Sequence, residues 1–240
     1  MPIEVFNRFE HKYLIDKHAY ERAVEVMDAH MDADPYNKDK KPYTIANIYY
    51  DTDDDYLVRK SLSKPMYKEK LRLRAYGVPS ADAKVFLEIK KKFNGIVNKR
   101  RSVLELSEAY ALIETGRAPE VRPYMNAQVL KEIEYFLSFY SLSPKLYIAY
   151  DRIAYFEHDN PDLRISFDQN IRSRRSDLFL ENGDYGKLLL PHGMYLMEIK
   201  TSTAKPLWLS GMLTELNLKR SSFSKYGTEF KNHVCGARAV

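Results

Sequence analysis

The sequence predicts an α+β fold in which about eight strands close into a barrel with a charged interior and helices packed outside. Three observations predict it. Short runs along the chain alternate apolar with charged residues, the two-residue period of a strand with one face buried. The charged face of nearly every run is cationic. Between the runs lie stretches whose apolar residues recur at helical spacing, each with one stripe to bury.

In chain order, RFEHKY puts Arg8, Glu10 and Lys12 on one face and Phe9, His11 and Tyr13 on the other. Residues 16–31 read as a helix behind the N-cap Asp16, with Tyr20, Val24, Met27 and Met31 on its stripe. NIYYDT, near residue 47, adds a strand. In EKLRLRAY, Lys70, Arg72 and Arg74 alternate with Leu71, Leu73 and Ala75. VFLEIKKK sets Glu88 and Lys90 opposite Val85, Leu87 and Ile89, and Asn94-Gly95 then marks a tight hairpin. NKRRSVLEL returns with Lys99 and Arg101 on one face. A helix capped by Ser107 and Gly116 follows, then NAQVLKEIEYFLSFY with Val129, Leu130, Ile133, Phe136 and Leu137 on one stripe. YIAYDRIAYF carries Arg152 amid aromatics. LRISFDQNIR sets Arg164, Ser166, Asp168, Asn170 and Arg172 against Leu163, Ile165, Phe167 and Ile171. YLMEIKTS places Glu198 and Lys200 opposite Met197 and Ile199, and KPLWLSGMLTELN begins a helix at Pro206. No low-complexity linker interrupts the chain, so a single domain over residues 1–240 is expected, its last few residues a tail.

The 240 residues are enough for a sizeable core, and the net charge of +5 admits an anionic partner. The single Cys235 excludes an intrachain disulfide framework and a cysteine-rich zinc site and suits a reducing cytoplasm. No apolar run is long enough to span a membrane, and charges thread the N-terminus where a signal peptide needs a continuous apolar stretch. A cytoplasmic, soluble protein is expected.

Twelve cations share the charged strand faces: Arg8, Lys12, Lys70, Arg72, Arg74, Lys90, Lys99, Arg101, Arg152, Arg164, Arg172 and Lys200. Only four carboxylates join them, Glu10, Glu88, Asp168 and Glu198. A solvated sheet laced with cross-strand salt bridges balances its signs, because like charges opposite one another destabilise. A barrel that turns its cations inward can instead hold a slender polyanion. Burying each ion costs several kcal/mol unless it is compensated, and a phosphate chain compensates well because arginine forks bind its oxygens in pairs. The few carboxylates then have a task, holding Mg²⁺ or Mn²⁺, ions that share their shell between carboxylates and substrate phosphates.

The ordered set RFEHKY, KLRLRAYG, FLEIKKK…NKRRS, YDRIAYF, LRISFDQNI, LMEIKTS and SFSKYG resembles the VTC domain, from about residue 4 to residue 230. This is the polyphosphate polymerase domain of the vacuolar transporter chaperones, within the triphosphate tunnel metalloenzymes that also include CYTH-type triphosphatases. The resemblance implies a closed antiparallel β-barrel tunnel in which Lys12, Arg72, Arg74, Lys90, Lys99, Arg152 and Arg164 line the phosphate path. Glu198 would hold the divalent metal, with Glu10 and Glu88 as further candidates. Lys225 of SFSKYG would be another phosphate contact; periodicity alone reads it as a surface lysine. Arg8, Lys70, Arg101, Arg172 and Lys200 complete the expected substrate-binding set. CYTH triphosphatases begin with E-x-E-x-K, whereas this chain has Arg8-Phe9-Glu10-His11-Lys12, a departure that favours the VTC branch.

The expected activity is therefore transfer of the γ-phosphoryl of ATP to a growing polyphosphate chain. A triphosphatase with water as acceptor and a non-catalytic polyphosphate-binding module are the alternatives. Nucleic acid is not expected as a partner, because the aromatics mostly occupy the strand face opposite the cations. A membrane-protein partner is compatible with the resemblance.

Overall fold

The computed structural model describes residues 9–94, 96–158, 160 and 162–237. These form β1 (Phe9–Ile15), α1 (Lys17–Met27), β2 (Met31–Ala33), β3 (Tyr43–Asp51), α2 (Tyr56–Leu62), β4 (Tyr67–Tyr76), β5 (Lys84–Phe93) and β6 (Ile96–Glu105). There follow α3 (Leu106–Thr115), α4 (Ala127–Phe139), β7 (Ser143–Glu157), β8 (Arg164–Arg174), β9 (Lys187–Leu188), β10 (Tyr195–Thr201), α5 (Leu207–Glu215) and α6 (Lys225–Ala237). All strand pairs are antiparallel, in the order β1-β10-β8-β7-β3-β4-β5-β6, with the short β2 on β7 and β9 on β8.

The sheet does not close. Among the described residues no strand ladder joins β1 to β6, which corrects the expected closed barrel; the outer edge of β1 carries only a short bridge, Tyr13 with Arg220, and a bond from Ser221 N to Lys12 O at 2.7 Å. It is nevertheless rolled. In a flat sheet β1 and β5 would stand about 29 Å apart, six steps of roughly 4.8 Å. Instead Lys90 Nζ on β5 lies 3.9 Å from Glu10 Oε2 on β1. A side-chain contact bridges the seam where a barrel would have backbone hydrogen bonds. The edge strand β6 carries Lys99, Arg100 and Arg101, charges that discourage pairing with another chain.

The alternation read from the sequence decides what each face meets. Outward from β3–β6, Ile48, Leu71, Leu73, Leu87, Ile89 and Leu104 pack with Leu112 of α3 and Val129, Ile133 and Phe136 of α4. Outward from the other half, Ile15, Tyr155, Ile165, Phe167, Met197 and Ile199 meet Ala23 and Met27 of α1 and Leu209 and Met212 of α5. Each such fully buried aliphatic side chain contributes about 1.5–3 kcal/mol. A third cluster lies on the inner face at one end: Leu146, Ile148, Ile171 and Leu196 pack with Val58 of α2 and with Phe223 and Tyr226. The interior is thus apolar at that end and charged beyond it.

Several local expectations hold. Asp16 accepts from Ala19 N at 2.8 Å, and Gly116 ends α3 at φ 69°. The N-cap of α3 is Glu105, with Ser107 already inside the helix, and Asn126, not singled out by the sequence pattern, accepts from Val129 N at 3.1 Å to cap α4. Asn94 (φ 43°) occupies the tight link between Phe93 and Ile96, which pair. Others do not hold. α1 stops at Met27, and Met31 starts β2, because Met31–Ala33 gain backbone partners on β7. Helices α2 and α6 carry no strong sequence signal; α6 runs to Ala237, and the last few residues, expected as a tail, lie outside the described residues.

Candidate active site

Strands on both sides of the roll turn charge inward, and the carboxylates organise it into two centres. The first lies on β4, β5 and β6. Glu88, fully buried, accepts from Arg72 Nε at 2.5 Å and from Lys99 Nζ at 3.1 Å, with Arg74 Nε at 3.9 Å. Arg74 also donates to Asn47 Oδ1 at 2.9 Å and to the Tyr150 hydroxyl at 3.3 Å, and Arg72 donates to the Tyr49 hydroxyl at 3.5 Å. Burial alone would raise the Glu88 carboxyl, but Arg72, Arg74 and Lys99 hold it well below the usual range.

The second centre lies on β7, β8, β10 and β1. Asp168, also fully buried, takes a bidentate fork from Arg152 at 2.6 and 2.8 Å and a bond from the Lys225 ammonium. Glu198 stands beside it, ringed by Lys12 at 3.3 Å, Lys200 at 3.5 Å, and Arg152 and Lys225 at 3.7 Å. These cations outweigh burial and keep both carboxyls ionised, Glu198 well below its usual value. Lys12 lies 3.3 Å from Glu10 as well, and Lys90 helps draw Glu10 down to about 2 against the opposing effect of burial. Tyr150 joins the two centres: its ring lies under Lys225 at 4.2 Å and Arg152 at 5.2 Å, while its hydroxyl accepts from Arg74.

The positive charge is in excess. Lys70, Lys99 and Lys200 are each pushed down to about 8 from an ordinary value of 10.5. Burial is the main cause in all three, and neighbouring cations add to it: Lys90 at Lys70, Arg72 at Lys99, and Arg152 at Lys200. The available carboxylates do not neutralise this interior.

Most expected site residues therefore converge. Lys12, Lys70, Arg72, Arg74, Lys90, Lys99, Arg152, Lys200, Glu10, Glu88 and Glu198 all face inward. Arg101, opposite Glu88 on the edge strand, lies over the Phe86 ring at 4.7 Å, and Arg164 pairs with Asp34 at 3.1 Å near one mouth. Lys225 is carried in by α6, whose Tyr226 donates to Asp51 at 2.9 Å. Arg8 lies outside the described residues. Arg172 is a correction. Asn170 (φ 48°) inserts an extra residue in β8, so Ala149 and Asp151 face Arg172 and Gln169. That bulge reverses the alternation and points Arg172 outward, to Asp184 at 2.6 Å and Asp151 at 3.1 Å. Sequence reasoning counted Asp168 among the inward carboxylates available to a metal, whereas Arg152 and Lys225 clamp it; it passed over Asn47, Tyr49 and Tyr150, although Tyr150 shares a face with Arg152 two residues on.

Among the described residues, no three His, Cys, Asp or Glu side chains gather into an all-protein metal cage. A magnesium-type ion needs fewer, one or two carboxylates with phosphates and water completing its shell. Glu198 and Glu10 fit: both are ionised, they lie on paired strands, and they share one ammonium. Glu88 fits less well: both its oxygens already accept hydrogen bonds, from Arg72 Nε at 2.5 Å and Lys99 Nζ at 3.1 Å, whereas the cations around Glu198 stand further off, at 3.3–3.7 Å.

Comparison with known families places residues 7–233 in the VTC domain model. The chain belongs to the VTC domain family. Two solved structures share its fold. One is a candidate adenylate cyclase from Bacillus halodurans, at 15% identity and a TM-score of 0.55, covering 92% of this chain and 96% of that one. Another is a candidate adenylyl cyclase from Hippeastrum with a dominant triphosphatase activity, at 18% identity and a TM-score of 0.55, covering 93% and 95%. No curated protein matches the sequence. Among the described residues, no helix of this VTC domain is long and apolar enough to cross a membrane.

Proposed function

We propose that this VTC domain is a metal-dependent polyphosphate polymerase that moves the γ-phosphoryl of ATP onto the end of a polyphosphate chain. The observation that carries the reading is the uncompensated positive interior, with Lys70, Lys99 and Lys200 all pushed down to about 8. A phosphate chain is the ligand that relieves it.

Phosphoryl transfer needs positioning and charge neutralisation more than a protein nucleophile. A terminal oxygen of the acceptor chain attacks the γ-phosphorus, the bond to the β,γ-bridging oxygen breaks, and ADP departs with the electron pair. Arg72, Arg74 and Arg152 present planar forks suited to phosphate oxygens, held in place by Glu88, Asn47 and Asp168. Lys225 and Lys12 add point charge where the two halves of the roll meet. Glu198 with Glu10 would hold Mg²⁺ or Mn²⁺, which supplies charge neutralisation at the reacting phosphates. Residence in the cytoplasm, the source of ATP, belongs to the same reading.

A second reading replaces the acceptor by water, and the triphosphatase activity of the Hippeastrum relative favours it. Incubation of the purified protein with ATP and Mn²⁺ or Mg²⁺, with products resolved on a phosphate-polymer gel, separates the two. Lengthening chains together with ADP are expected. Orthophosphate without chains establishes the hydrolase, and binding without turnover leaves a polyphosphate-binding module.

A further inference from the structure

Beyond the two charged centres, the inner face changes character. On β4 the inward series Lys70, Arg72, Arg74 ends in Tyr76; on β5, Lys90 and Glu88 give way to Phe86; on β3, Tyr49 and Asn47 give way to Ile45 and Tyr43. These rings meet at one mouth. Tyr43 and Tyr76 centroids lie 6.0 Å apart, Tyr76 and Phe86 lie 5.6 Å apart edge to face, and Tyr36 extends the arc to 6.3 Å from Tyr43. Two of the rings are largely open to solvent, Tyr36 at 80% and Tyr76 at 50% exposure.

The exposed Tyr36 is held in place by its neighbours. Its backbone N–H donates to Asp34, which also takes the Arg164 guanidinium. The adjacent Asn37 is buried and fills the gap between β2 and β3. It donates to Arg152 O and accepts from Ala154 N, both at 2.9 Å. The loop that displays Tyr36 is therefore tied to the same strand that aims Arg152 at the phosphate path.

An aromatic face is electron-rich and offers nothing to a phosphate chain, whereas every nucleobase presents a π-face that stacks on one. Tyr76 follows Arg74 by two residues, about 6.6 Å further along the strand. With the phosphates of a nucleotide beside Arg74 and Arg152, the ribose would lead its base to this rim. We infer that the Tyr36–Tyr43–Tyr76–Phe86 arc is a base-stacking subsite that selects nucleoside triphosphates over inorganic ones, a step that rests on the triphosphate reading of the interior.

Calorimetric titration with ATP and with inorganic tripolyphosphate, both with Mg²⁺, tests it. Tyr36→Ala and Tyr76→Ala are each expected to weaken ATP binding about tenfold and leave tripolyphosphate binding unchanged. Tyr76→Phe, which keeps the ring, should bind ATP as the unaltered protein does. Unchanged ATP affinity in both alanine variants, or equal losses for the two ligands, overturns the subsite while the charged interior stands. An unaltered protein that binds neither ligand overturns the triphosphate reading and this inference together.

Discussion

Replacing Glu88 by glutamine leaves Arg72, Arg74 and Lys99 facing one another with no counter-charge. Removing one partner from a buried ion pair costs about 3–5 kcal/mol. Two features of the site push the cost to the lower end. The glutamine oxygen can still accept from Arg72, and Lys99, already at about 8 with Glu88 supporting its charge, would shed its proton near neutrality. Its side chain is also 38% exposed, so water screens its share. A loss of about 3 kcal/mol corresponds to a fall in Tm of roughly 6–12 °C for a chain of this size. Tripolyphosphate should restore much of it, because a bound polyanion supplies the missing negative charge. The rise in Tm on adding tripolyphosphate should therefore be larger for the variant than for the parent protein. Thermal unfolding with and without tripolyphosphate at low ionic strength reads both effects. A variant as stable as the parent would refute the ion-pair argument. A folded variant that has lost its response to Mn²⁺ or Mg²⁺ would return Glu88 to the metal.

Glu198→Gln should abolish metal-dependent turnover while tripolyphosphate binding persists; an unchanged metal titration would shift the ligand role to Glu10. Arg172→Ala should leave triphosphate affinity unaltered, since the residue faces outward, yet cost about 2 kcal/mol in urea unfolding through its lost charged hydrogen bonds. Lys70, Lys99 and Lys200 sit below their ordinary value in the free protein, and a bound polyanion favours their charged form. Triphosphate affinity should accordingly hold below about pH 8 and fall as the pH rises through it, with proton uptake on binding near about pH 8 and little at about pH 6. A flat affinity across that interval in calorimetry would show that these lysines do not meet the ligand.

Much of the fold and most of the site were legible because strand alternation is a local property. Arg72 and Arg74 cannot leave the face opposite Leu71 and Leu73, and once those leucines are buried under α3 and α4 the guanidiniums must turn inward. The same period explains the main error. Alternation carries no warning of a bulge, and one inserted residue at Asn170 sent Arg172 to the outer face. Lys225 was legible only by family resemblance, because a helix delivers it across a sequence separation of 57 residues from Asp168, and no local period reports such a contact.

The sequence by itself determined which side chains share a face wherever a strand runs without a bulge, that one face would be basic, and which of the helices it marked would cover the other. Tertiary structure alone decided the rest: that β5 meets β1 through Lys90 and Glu10 without the sheet closing, that Glu88 pairs with arginines while Glu198 and Glu10 stand together, and that four aromatic rings gather at one mouth. The physical reason is that facing direction follows from backbone geometry within one strand, whereas pairing between charges and between rings depends on how strands distant in sequence are rolled against one another.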